Sequence, residues 1–208
     1  MLPAGTYRRH IENRIRPGNA GLPSLCGMGT LFASPRVVVS AVAKAFGYRL
    51  VRIRHRGALD EAHGAVPEGT TVFDDAVPGV ARLDPALLGA LREAAADAAK
   101  DGVEFFVNSG WRSPEHQEQL LREAIGKYGS AEAAARWVAT PGRSAHVSGH
   151  AVDIGPPEAA AWLSEHGAAY GLCQIYRNEP WHYELRPEAV HGGCPPMYAD
   201  PSQDPRMQ

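Results

Sequence analysis

The apolar and polar positions along this chain sort into short elements rather than one long repeat. Asp84 followed by Pro85 is a helix start, a capping side chain with proline at the first helical position. Leu87, Leu88, Leu91, Ala95 and Ala98 then recur at helical spacing, and Gly102 ends the element. Residues 103–107 read as a buried strand running into Asn108-Ser109-Gly110-Trp111-Arg112. Ser113-Pro114 opens a second helix that carries Leu120, Leu121 and Ile125 inward, and Ser130 caps a third, rich in alanine, that ends near Val138. Residues 151–154 form a short strand, and residues 157–165 a fourth helix closed by Gly167. Residues 172–176 and 181–185 flank the turn Arg177-Asn178-Glu179-Pro180 and predict a hairpin. Residues 64–80 read as a loop with a short strand at 70–73, and the Pro- and Gly-rich stretch from Gly192 onward as an irregular tail over the surface. Strands and helices mix without regular alternation, so the fold class is α+β, a small antiparallel sheet flanked by helices.

Composition changes this picture at one end. The 208 residues, 44% hydrophobic and 21% charged, suit one globular domain. The net charge of -2 gives no reason to expect nucleic acid as a partner. Residues 1–57, however, hold ten Lys or Arg against a single acid, Glu12, which leaves eleven basic and 22 acidic residues for the remainder. Residues 1–57 are therefore read as a basic N-terminal leader and residues 58–208 as the catalytic domain. The apolar run 37–46 is short and broken by Lys44, so it is neither a clean secretory signal nor a transmembrane segment. Cys173 and Cys194 are read as one disulfide of an oxidising compartment, with two free thiols as the alternative and Cys26 left over.

Of nine histidines, three stand out by their company. Ser144-Ala145-His146-Val147-Ser148-Gly149-His150-Ala151-Val152-Asp153 fits the pattern S-x-H-x-x-G-x-A-x-D, and Glu179-Pro180-Trp181-His182 follows some thirty residues later. Ser109-Gly110-Trp111-Arg112-Ser113, with Gln117 beyond, is a third motif. Together these segments resemble the zinc D-alanyl-D-alanine carboxypeptidases and dipeptidases linked to vancomycin resistance (VanY-like). The resemblance covers residues 72 to the C-terminus and implies the D-Ala-D-Ala metallopeptidase (hedgehog-like) fold. It implies Zn2+ held by His146, Asp153 and His182.

The residues support that reading independently. A catalytic zinc takes three protein ligands, from imidazole nitrogen and carboxylate oxygen, and keeps a position for water. On the strand 151–154 Asp153 shares a face with Ala151, while Val152 and Ile154 point to the core. A lone carboxylate between β-branched apolar residues needs a partner. His182 alternates with Trp181 and Tyr183, so it leaves the face those aromatics bury. His146 and His150 have the spacing of two ligands on a helix face, but Ser148 and Gly149 are poor helix formers. His150 is read as a neighbour that touches substrate or supports a ligand. For the base, Glu184 shares a strand face with His182 and Glu179 lies in the turn before it; geometry leaves both open. The resemblance assigns the base to Glu179; Glu184 is then read as orienting a ligand or pairing with an arginine. It also implies that Arg112 binds anionic substrate, with Ser109, Gln117 and Ser144 as hydrogen-bonding neighbours.

The implied activity is hydrolysis of the terminal D-Ala from peptidoglycan stem peptides, outside the cytoplasmic membrane, by a protein expected to be monomeric. Two rivals are a peptidoglycan endopeptidase with the same ligands and a zinc-stabilised binding module without turnover.

Overall fold

The computed structural model describes residues 59–207. The basic leader 1–57, with Cys26 and the apolar run 37–46, lies outside the described residues. Four strands, β1 Phe106–Ser109, β2 Ala151–Gly155, β3 Leu172–Gln174 and β4 His182–Leu185, form one antiparallel sheet in the order β1-β2-β4-β3. The helices are α1 Pro78–Ala81, α2 Pro85–Ala98, α3 Pro114–Tyr128, α4 Ala131–Ala134, α5 Pro157–His166 and α6 Ala189–Gly192.

The sheet is two-sided. Val107, Val152, Ile154 and Tyr183 join Leu87, Leu91 and Ala94 of α2 and Leu163 of α5 in one core cluster. Burying each such leucine stabilises the fold by about 1.5–3 kcal/mol relative to leaving it exposed. Period-two alternation then sends Asp153, His182 and Glu184 to the opposite face. Asp84 starts α2 as its sequence predicts, accepting hydrogen bonds from the N–H groups of Ala86 and Leu87.

Several expected elements are shorter, for identifiable reasons. The strand expected at 70–73 is a single bridge, Thr71 to Phe106. Asp74 accepts from both the N–H and the hydroxyl of Thr71, a local turn that competes with a ladder. The third helix is the one-turn α4, because Arg136 and Ala139 offer their carbonyls to Asn178 and Gln117 instead of to further helical N–H groups. In α3 the buried positions are Gln117 and Ala124, whereas Leu120, Leu121 and Ile125 are half-buried, and Leu120 lines a cavity beside Gln117. The strand expected at 172–176 stops at Gln174 because residues 175–177 pair with the tail. Tyr198 N–H donates to Ile175 O, and Arg177 N–H to Tyr198 O. The tail is thus built in, and a disulfide joins Cys173 to Cys194, Cα atoms 5.5 Å apart.

Candidate metal centre

Strand register brings two side chains of the centre together. Asp153 on β2 pairs with His182 on β4, and Ser109 on β1 pairs with Asp153 from the other side. Ile154 N–H donates to Trp181 O, so Asp153 and His182 form a non-hydrogen-bonded pair, the kind whose side chains lie closer. His146 arrives from the loop before β2. That loop turns at Gly149, whose φ of 77° and whose approach to Arg82 O, 2.6 Å from where a Cβ would sit, admit only glycine. Gly110 is similarly tight, since a Cβ there would meet Gly79 O at 2.0 Å. This close packing aims Gly110 O at His146, whose Nδ1–H donates to it at 2.8 Å.

Three acceptor atoms then converge. His146 Nε2 lies 3.3 Å from His182 Nδ1 and 3.4 Å from Asp153 Oδ1, and His182 Nδ1 lies 3.2 Å from that same oxygen. The far nitrogens are committed elsewhere: His146 Nδ1 to Gly110 O, and His182 Nε2, as donor, to Glu184 Oε1 at 3.3 Å. With both imidazoles neutral, three lone pairs would face one another in a buried site, which needs a cation between them. A four-coordinate ion with bonds of about 2.0–2.1 Å spaces its donors roughly 3.3–3.4 Å apart, which the observed triangle matches. Without an ion a proton serves. Burial works against a charged His182, but hydrogen bonds to Asp153 and Glu184 raise its pKa to about 9. Burial likewise opposes an ionised Asp153, yet His146, His182 and Arg112 hold it well below the ordinary carboxylate range.

The centre opens into a cavity of about 240 Å³, lined by both imidazoles, Asp153, Arg112, Gln117, Ser144 and Glu179 among others. Glu179 Oε2 stands 3.8 Å from His182 Nδ1, and burial, reinforced by Asp153, pushes its carboxyl up to about 7. Arg112 is nearly enclosed. Its Nε donates to Ser109 Oγ at 2.7 Å, Nη1 to Gln117 Oε1 at 3.2 Å and Nη2 to Asp153 Oδ2 at 3.0 Å.

A family model described as VanY, D-alanyl-D-alanine carboxypeptidase, matches residues 80–188. The chain belongs to that family. A D-alanyl-D-alanine carboxypeptidase of Enterococcus faecalis is 37% identical over a 113-residue alignment that takes in 42% of this chain and 42% of the relative. The chain therefore spans less than half of that relative's length. Among solved structures, the LdcB LD-carboxypeptidase is 22% identical with a TM-score of 0.50, covering 62% of this chain and 71% of that one; this likeness shows the fold. A vancomycin-resistance D,D-pentapeptidase VanY from a VanB-type resistance cassette, a point mutant in complex with Zn(II), is 29% identical with a TM-score of 0.49, covering 54% and 80%.

The three segments read from the sequence as motifs meet at one cavity. Of the residues that the resemblance names as metal ligands, base and substrate-binding groups, seven line it, and the eighth, Ser109, stands behind Arg112 as its hydrogen-bond acceptor. His150 is outside the cluster. It is exposed, bonded to Ser148 Oγ and 3.8 Å from Asp84, while the convergent trio excludes it. Glu184 accepts from His182 and from Arg186. Sequence reasoning missed the wall residues Leu120, Trp137, Tyr176 and Met207. Leu120, an apolar position on the helix that follows the Arg112 motif, was the available signal; Met207 gave none.

Proposed function

We propose that the chain is a zinc-dependent D,D-carboxypeptidase that removes the terminal D-Ala from peptidoglycan stem peptides. The observation carrying this reading is the triangle of His146 Nε2, His182 Nδ1 and Asp153 Oδ1, with the outer nitrogens already committed. Mixed nitrogen and carboxylate donors of this number favour a catalytic zinc site. When bound there, zinc supplies Lewis-acid polarisation of a carbonyl and a water acidified toward a pKa of about 7. Family membership and the chain's own Glu179 and Arg112 supply the rest of the argument.

Glu179 is the general base. Its buried, proton-avid carboxylate takes a proton from the attacking water and returns it to the departing amine. Arg112 spends three of its five N–H donors on Ser109, Gln117 and Asp153, which leaves two for substrate. Those donors hold negative charge on the peptide, its carboxylate or the developing oxyanion. Gln117 and Ser109 lock the guanidinium in place, and Ser144 offers a hydroxyl on the cavity wall. The catalytic unit spans residues 58–208, with 1–57 as a basic leader.

The substrate places the protein outside the cytoplasmic membrane, and the Cys173–Cys194 disulfide suits that compartment. Among the described residues no helix is long and apolar enough to cross a membrane. The test is to feed pentapeptide and cross-linked muropeptides separately. Shortening of the pentapeptide by one alanine supports the carboxypeptidase; cleavage of cross-links alone replaces it with an endopeptidase, and no cleavage of either with a binding module.

A further inference from the structure

The C-terminal tail lies beyond the residues 80–188 that the family model matches, yet it reaches the metal centre. Arg206 grips Glu184 at two points, Nη1 donating to Oε2 at 2.6 Å and Nη2 to Oε1 at 3.2 Å. Oε1 is the oxygen that accepts from His182 Nε2. Arg186 also reaches Glu184, but only at Oε2, 2.8 Å away. One contact leaves a carboxylate free to turn about its last bond, whereas a two-point grip fixes its plane. Arg206 is itself held by Asp204, whose oxygens each lie 3.0 Å from Nε. Asp204 is fully buried and accepts from the Tyr176 hydroxyl at 2.9 Å. The Tyr176 ring packs on the His182 imidazole, centroids 5.1 Å apart. The contacts close a ring: His182, Glu184, Arg206, Asp204, Tyr176 and His182 again.

We propose that Arg206 is a positioning residue for the metal centre: through Glu184 it sets the plane and tautomer of His182, and so the tightness with which the ion is held. Groups that orient a ligating imidazole from behind are worth about 10–100-fold in metal affinity. A tail that only stapled the sheet would not need this grip, because the Cys173–Cys194 bond and the backbone pairings of Tyr198 already anchor it. The inference rests on the zinc reading above.

The test uses the full chain. Zinc dissociation constants are measured by competition with a fluorescent chelator for wild type, Arg206→Ala and Arg206→Lys, beside thermal melts of the metal-free proteins. The expected result is affinity about tenfold weaker for Arg206→Ala. Arg206→Lys keeps the charge without the fork and is expected to recover only part of the loss. Either variant, once shown to be folded, overturns the inference if it binds zinc within twofold of wild type. Should Arg206→Ala not fold, Arg206→Lys alone decides. A wild type that binds no zinc would instead sink the zinc reading itself, with His182→Ala as the reference for a lost ligand.

Discussion

Asp153 and His182 stand opposite each other on β2 and β4, with the carboxylate Oδ1 3.2 Å from the imidazole Nδ1. The pairing puts two of the candidate metal donors on one sheet face, so their separation is fixed by the strand ladder. Replacing either donor with alanine removes a ligand while the backbone pairing survives. We expect Asp153→Ala and His182→Ala to lose more zinc affinity than the about 100-fold upper bound for an outer-shell partner. Elemental analysis after dialysis checks this, with near-stoichiometric zinc in wild type and little in the variants.

Glu179 is close to the centre without being one of its three convergent donors. Glu179→Ala is expected to keep its zinc and to lose about 10²–10⁴-fold in kcat, the range of a general base. Full activity in a zinc-replete Glu179→Ala would move the base elsewhere.

The same geometry explains what was legible in the sequence. Alternation along 151–154 was enough to set Asp153 against the core-facing Val152 and Ile154, and the turn before Trp181 was enough to predict the hairpin that carries His182. The triangle itself was readable only through its motifs, since register between β2 and β4 is a long-range pairing that periodicity does not report. The grip of Arg206 on Glu184 links residues 22 apart through the tail and leaves no local pattern. Gln117, one polar residue among many on its helix, was the reverse case. Its burial comes from Arg112 and Ala139 O, partners that helical spacing does not show.

Arg112 makes three hydrogen bonds in fixed directions, a geometry that lysine does not reproduce. Arg112→Lys is expected to lower kcat/KM by about 10²–10³-fold, the scale of one lost oxyanion donor. Steady-state kinetics on pentapeptide reads it, and a change below about tenfold would reduce Arg112 to a support for Asp153.

On the proposed reading, zinc and a proton compete for His182. Because the metal-free imidazole has its pKa raised to about 9, it is protonated at neutral pH and must shed that proton to ligate. Apparent zinc affinity is therefore expected to rise with pH through the neutral range and to level off above about 9. Calorimetry in buffers of different ionisation enthalpy should record about one proton released per zinc at pH 7. Affinity independent of pH between 7 and 9 would contradict the assignment of His182 as the protonated partner of Asp153 and Glu184.

The Cys173–Cys194 bond closes a loop of sequence separation 21 between β3 and the tail. Chain-entropy arguments put its contribution to stability at about 3 kcal/mol. Cys194→Ser, in which the remaining Cys173 is fully buried, is expected to lower the melting temperature under oxidising conditions and to remove the effect of added reductant. Equal melting temperatures with and without reductant in wild type would show the bond to be dispensable.

On the proposed reading, two imidazoles and one carboxylate hold a single ion in this cavity. The most direct measurement is anomalous diffraction at the zinc edge from metal-loaded crystals. One peak within bonding distance of His146 Nε2, His182 Nδ1 and Asp153 Oδ1 is the predicted result. A peak at any other set of side chains, or none in crystals grown with saturating zinc, would contradict it.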